Sequence, residues 1–134
     1  MECNGILIIE DEQEIRDTLR QLLELEGHKV YTAANGAEGL QRLRVMPPPC
    51  SIILDILMPV MSGWQFLDAR QQDEALSSIP VAIVSGIAQK PASIPRATVF
   101  IRKPIDFDVL LGFVNEQHQA RARRNDGSVQ EIGV

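Results

Sequence analysis

The chain has 134 residues, with 13 Lys and Arg against 18 Asp and Glu for a net charge of −5, and 45% of its residues are hydrophobic. That length is one domain's worth, with enough apolar side chain for a packed core and too little net charge for an intrinsically disordered chain. The acidic balance argues against direct binding of duplex nucleic acid, and no apolar run nears the roughly 18 residues of a membrane span. Met1-Glu2-Cys3-Asn4 has no basic segment ahead of an apolar one, so a cytoplasmic protein is expected, neither exported nor membrane-inserted. Cys3 and Cys50 lie far apart and without metal-ligand spacing, which predicts neither structural zinc nor a disulfide scaffold.

In chain order, Gly5-Ile6-Leu7-Ile8-Ile9 is a continuous apolar run closed by Glu10-Asp11-Glu12, the pattern of a central parallel strand covered on both faces. From Glu12 to Glu26, Ile15, Leu19, Leu22 and Leu23 share one helix face, and Gly27 supplies the stop. Lys29 to Ala33 reads as a second strand, Asn35-Gly36 as a turn, and Ala37 to Val45 as a helix that Pro47-Pro48-Pro49 forbids from continuing. Ser51 to Asp55 repeats the first pattern, an apolar strand ending on a carboxylate. A loop through Met58-Pro59 and Ser62-Gly63 leads into a helix carrying Trp64, Leu67 and Ala69. Val81 to Val84, ending at Ser85-Gly86, is the fourth strand, and Thr98 to Ile101, ending at Arg102-Lys103-Pro104, the fifth. Asp106 to His118 is a last helix with Val109, Leu110, Phe113 and Val114 inward. Alternation of this kind predicts a doubly wound α/β fold with a parallel sheet.

Polar residues then gather at one kind of position: Glu10 and Asp11 after strand one, Asp55 after strand three, Ser85 after strand four and Lys103 after strand five. In a parallel sheet those carboxyl ends share one rim, where open α/β folds bind ligands. Three neighbouring carboxylates repel unless a cation sits among them, and an all-oxygen set with room for water suits Mg²⁺. Metal, ammonium and hydroxyl could then hold a phosphoryl group while a carboxylate attacks phosphorus.

Ile9-Glu10-Asp11-Glu12, Leu54-Asp55-Ile56-Leu57-Met58-Pro59, Gly63, Ser85-Gly86 and Lys103-Pro104, in that order and each near a strand end, resemble the receiver domain of two-component response regulators over residues 5 to 118. The resemblance implies a flavodoxin-like five-stranded sheet in the order 2-1-3-4-5, with a receiver domain over 1–118 and a polar tail or linker stub over 119–134. It implies Asp55 as phosphoacceptor and Glu10, Asp11, Asp55 and the backbone carbonyl of Leu57 as the Mg²⁺ site, with Glu10 acting mostly through water. Lys103 would pair with the phosphoryl oxygens across a cis Lys103-Pro104 bond, and Ser85 and Phe100 would be the switch pair. A phosphorylated Asp draws the hydroxyl inward and the ring follows. The implied partners are a histidine kinase or histidine phosphotransfer protein and an unidentified downstream protein; homodimerisation stays open. Such a domain assists its own modification and is a regulatory domain rather than an enzyme turning over a small substrate.

Four departures carry information. Glu10 stands where the family usually has Asp, which lengthens reach and keeps charge. Leu57 and Ile87, two positions after Asp55 and Ser85, are apolar where faster-hydrolysing relatives place polar groups, so slow self-dephosphorylation is expected. Between Ser85 and Lys103 the interval is 18 positions, about four fewer than is common in the family, roughly one helical turn. Pro91 and Pro95 fall inside it, so the helix there is expected to be short, displaced or absent. The tail holds Arg121, Arg123 and Arg124 against Asp126 and Glu131 without apolar periodicity, a frayed helix extension or disordered end. Two other functions compete: a receiver-like interaction module acting without phosphorylation, and a Mg²⁺-dependent phosphohydrolase, which Leu57 disfavours by filling the place of that mechanism's second Asp. His28 and His118 read as surface histidines without partners, and Met61 and Trp64 as packing and loop anchors.

Overall fold

In the computed structural model the described residues are 4–56, 61–86 and 98–125, with side chains described through residue 120. Five strands, β1 (Ile6–Ile9), β2 (Val30–Ala33), β3 (Ser51–Asp55), β4 (Val81–Ser85) and β5 (Thr98–Arg102), form one sheet in the order β2-β1-β3-β4-β5. Every pairing is parallel. Four helices complete the described chain: α1 (Gln13–Leu25), α2 (Gly36–Val45), α3 (Gly63–Gln71) and α4 (Phe107–Asn125). This is the flavodoxin-like fold that the sequence predicts.

The period-2 geometry of a strand explains the continuous apolar runs, because successive residues feed two cores. Leu7, Ile9, Ile52, Leu54 and Ile83 face α2 and α3 with Leu40, Leu43, Phe66 and Leu67. Ile6, Ile8, Ile53, Ala82 and Val84 face α1 and α4 with Leu19, Leu23, Leu110 and Val114. All four residues of β1 and all five of β3 and β4 are buried.

Local signals set the helix ends. After α1 the chain turns at Gly27, whose φ of 92° lies in the left-handed region; Gly27 N donates to Glu24 O and His28 N to Leu23 O, closing the helix C-terminus. Asn35 is the N-cap of α2, its side chain accepting from Glu38 N at 2.9 Å. Ser62 and Gln65 form a reciprocal capping box at the start of α3.

Several expectations change. Val109 was placed inward, yet it is 54% exposed: it lies one position before buried Leu110, off the stripe that faces the sheet. The last helix continues past His118 to Asn125, in keeping with the helix-extension reading of the first tail residues. Against the expectation of no disulfide, Cys50 is disulfide-bonded. Separation along the sequence is a poor guide here, because β1 and β3 are adjacent. Asn4 N donates to Pro48 O and Cys50 N to Gly5 O, both at 2.7 Å, so the segments entering the two strands run side by side. Cys3, the chain's other cysteine, lies outside the described residues. The histidines are partnered too: His28 Nε2 is 2.8 Å from Asn115 Oδ1, and His118 Nδ1 is 3.5 Å from Cys50 Sγ. The expected irregular helix after β4 falls on residues 87–97, outside the described ones. No helix among the described residues is long and apolar enough to cross a membrane.

One packing contact bears directly on the rim. A Cβ added to Gly63 would lie 2.7 Å from Asp55 O and 2.7 Å from Ile56 Cα, both backbone atoms that cannot yield. We expect Gly63→Ala to lower stability by about 1–3 kcal/mol, the usual cost of overpacking, measured as a shift of the urea midpoint at constant slope. An unchanged midpoint would show that α3 can move off the β3 end.

Candidate functional site

Register carries the titratable groups to one edge. Ile9 pairs with Leu54, Leu54 with Ile83 and Ile83 with Phe100, so the residues just beyond, Glu10, Asp55 and Ser85 with Lys103, emerge along the carboxyl rim of β1, β3, β4 and β5. Glu10 is held by its main chain, Glu10 N donating to Ala33 O at 3.1 Å. Lys103 is held likewise, its N donating to Ser85 O at 2.8 Å. The Lys103-Pro104 peptide is cis, as expected.

Carboxylate oxygens of Glu10, Asp11 and Asp55 all lie within 4.8 Å of one another. Lys103 Nζ sits 3.4 Å from Asp55 Oδ1 and 3.8 Å from Glu10 Oε1. Glu10 and Asp55 are buried, whereas Asp11 is partly exposed and opens the cluster to solvent. The other Glu10 oxygen, Oε2, accepts from Glu12 N at 3.1 Å and so caps α1, whose N-cap residue Glu12 makes no side-chain cap of its own.

Burial dominates the electrostatics. It pushes the Glu10 carboxyl up to about 7, with the Glu12 N–H and the Lys103 ammonium pulling down and the Asp55 charge adding to the rise. It also holds Asp55 above the ordinary carboxylate range, against the opposing pull of Lys103. For Lys103, burial alone would lower the ammonium, but the Glu10 and Asp55 charges outweigh it and hold it higher than usual. Among the described residues, three acids against one ammonium leave the rim short of positive charge. An all-oxygen set with an open side fits a hard divalent cation, which would supply that charge and keep water in its remaining positions.

The rest of the expected site is distributed as follows. Ser85 is buried at the end of β4. Phe100, in β5, is partly buried against the α2 and α3 core. Leu57, with the carbonyl expected to bind metal, and Ile87 lie outside the described residues. Met61 packs against the same core as Phe100, as an anchor should, while Trp64 is 37% exposed.

Sequence reasoning passed over two arginines. Arg16 Nη1 donates to Glu10 O at 2.7 Å and lies 3.5 Å from Asp11 O. The available signal was a basic residue early in α1, where the helix macrodipole disfavours it. Arg70 is fully buried, with Nη2 donating to Ile79 O at 2.6 Å, and burial lowers its guanidinium to about 10. It ties the end of α3 to the segment before β4, and no signal in the sequence announced it.

Comparison with known proteins decides the family. Residues 6–115 match the response regulator receiver domain. The chain belongs to that family. It is 32% identical over 114 residues to Protein PilH of Pseudomonas aeruginosa, covering 82% of this chain and 93% of PilH. To the DNA-binding dual master transcriptional regulator RpaA of Synechocystis it is 32% identical over 125 residues, 90% of this chain but 50% of RpaA. A CheY-like response regulator receiver domain protein from Methanospirillum hungatei superposes with a TM-score of 0.78 at 26% identity, covering 92% of this chain and 99% of that one. The receiver domain is thus a two-component signalling domain, spanning nearly all of one curated relative and half of another.

The sign of the Glu10 shift gives a test. With a folded value near 7 against an ordinary 4.5, the native state holds this proton more tightly than the unfolded chain. Its stabilising contribution is present below about pH 4.5 and is lost as pH rises through 7. We expect Glu10→Gln to be more stable than wild type at pH 8 without metal, with the difference shrinking towards pH 5, by thermal unfolding in a chelating buffer. Equal stability of the two proteins at pH 8 would contradict it.

Proposed function

We propose that this receiver domain is a phosphorylation-dependent switch in which Asp55 accepts a phosphoryl group from a histidine kinase or histidine phosphotransfer protein. The observation that carries this is the rim itself: three carboxylates whose oxygens share one space, with the Lys103 ammonium 3.4 Å from Asp55. A carboxylate oxygen of Asp55 attacks phosphorus, the bond from phosphorus to the donor imidazole nitrogen breaks, and its electron pair leaves with that ring. Lys103, 3.4 Å from Asp55 Oδ1, supplies positive charge to the transferring oxygens. Glu10, Asp11, Asp55 and the Leu57 carbonyl are the residues that would hold Mg²⁺, Glu10 mostly through water. When bound, that ion neutralises the acids and the charge on the transferring group.

The readout rests on Ser85 and Phe100. In this reading Ser85 donates to the new phosphoryl oxygens and Phe100 follows it inward, so that charge at the rim becomes a change of surface on the β5 side for a downstream protein to bind. A groove of about 360 Å³ beside the rim supports a helical phosphodonor partner. Ile15, Leu19 and Leu22 of α1 form one wall, and Ile105 and Phe107, which follow Lys103, form the other. Residues 119–134 are proposed to lie outside the receiver proper, as a tail or linker stub.

Incubation with Mg²⁺ and acetyl phosphate should give one phosphoryl adduct per chain by intact mass, and Asp55→Ala should give none. No adduct on wild type would favour a module acting without phosphorylation, and continuous phosphate release a hydrolase. A second expectation concerns lifetime. Replacing the apolar Leu57 and Ile87 by Asn and Glu should hasten loss of the phosphoryl group by roughly ten-fold or more, the scale at which positioned polar groups act on water. An unaltered lifetime would remove those two side chains from the account.

A further inference from the structure

Arg16 stands in the early part of α1, and its side chain turns back towards the loop it follows. The β1–α1 loop is three acids in a row, Glu10-Asp11-Glu12, whose mutual repulsion favours splaying into solvent. Two ties already hold residue 10: its N–H donates to Ala33 O, and its Oε2 accepts from Glu12 N. Its carbonyl, beyond the end of the strand ladder, is the group that Arg16 Nη1 takes at 2.7 Å. The same nitrogen lies 3.5 Å from the carbonyl of Asp11.

We propose that Arg16 is a positioning residue for the rim: it fixes the main chain of Glu10 and Asp11 so that their carboxylates stay within reach of Asp55, and it sets a permanent positive charge behind them. The inference rests on the reading of the rim as a Mg²⁺ site. A loop ordered in advance spares the metal the work of ordering it, so the benefit falls on metal affinity rather than on the phosphorylation rate once metal saturates. Placing a cation this early in a helix opposes the macrodipole, which α1 would not gain from for its own sake.

The experiment uses wild type, Arg16→Ala, Arg16→Gln and Arg16→Lys. Calorimetric titration of Mg²⁺ into the unphosphorylated proteins is combined with the Mg²⁺ dependence of acetyl phosphate labelling and with thermal unfolding in chelator. We expect the Mg²⁺ midpoint to rise about ten-fold in Arg16→Ala, the scale of outer-shell partners of metal sites, and by less in Arg16→Lys. The labelling rate at saturating Mg²⁺ should stay near that of wild type. Coinciding midpoints for wild type, Arg16→Ala and Arg16→Gln would overturn the proposal. So would midpoints that move only in proportion to lost metal-free stability, without recovery in Arg16→Lys, since that marks a purely structural tie. A wild-type protein that takes up no Mg²⁺ at all would overturn the reading of the rim itself, and this proposal with it.

Discussion

Crowding of like charge at the carboxyl end of the sheet is the constraint on which the rest of the structure depends. Glu10 and Asp55 are buried carboxyls with Asp11 beside them, and among the described residues a single ammonium, that of Lys103, reaches two of the three. Burying ionised groups this close together is costly, and the proton affinity of Glu10 records that cost. A domain that spends stability in this way keeps a site that any well-placed positive charge relaxes. Under the proposed function, Mg²⁺ and a phosphoryl group would form such a pair: the first would remove repulsion, and the second would take the metal and Lys103 as its own counterions.

What offsets the strain is the sheet beneath. β1, β3 and β4 are buried along their whole length, so the strand ends are held by packing on both faces of the sheet. The rim side chains start out as neighbours because the register places their Cα atoms along one edge. The helices then approach closely enough to hold the rim in place. Gly63 lets the first turn of α3 rest on the backbone at Asp55 and Ile56, and Gly63 N donates to Ile56 O at 2.9 Å. Small residues therefore matter at the rim for their lack of bulk, as the acids matter for their charge.

The order of elements and the rim residues were legible in the sequence because parallel strands buried on both faces leave an unmistakable trace: an apolar run that stops on a charge. Glu10, Asp11, Asp55 and Lys103 were found from that trace before any geometry, and the structure brings them within ion-pair or ligand-sharing distance. What stayed hidden depends on contacts between residues distant in sequence. The nearness of Asn4 and Pro48, and with it the environment of Cys50, follows from β1 and β3 being neighbours, which composition and spacing do not disclose. Arg70 gives no signal in the sequence and is fully buried, where its guanidinium donates to a carbonyl nine residues on. Val109 reads as apolar and therefore inward, yet the buried stripe passes through Leu110, one residue further along. In each case local pattern gave the residue's character, and tertiary packing chose its partner.

The two cations near the rim illustrate why charge alone does not describe the site. Lys103 is a compact ammonium on a flexible stem, and it meets carboxylate oxygens, the groups that on the proposed reading would change partners when metal or phosphoryl arrives. A mobile point charge suits that task, since it can follow the oxygens it neutralises. Arg16 carries a planar fork and meets main-chain carbonyls, which keep the same charge in every state of the site. A rigid donor suits a fixed acceptor. Exchanging the two side chains would preserve the net charge of the rim and would fail on both counts, giving the variable contacts a group that adapts poorly and the constant contact a group that holds loosely. On the proposed reading the rim thus divides its two cations, one on the carboxylate oxygens that would take metal and phosphoryl, the other on the main chain that carries them.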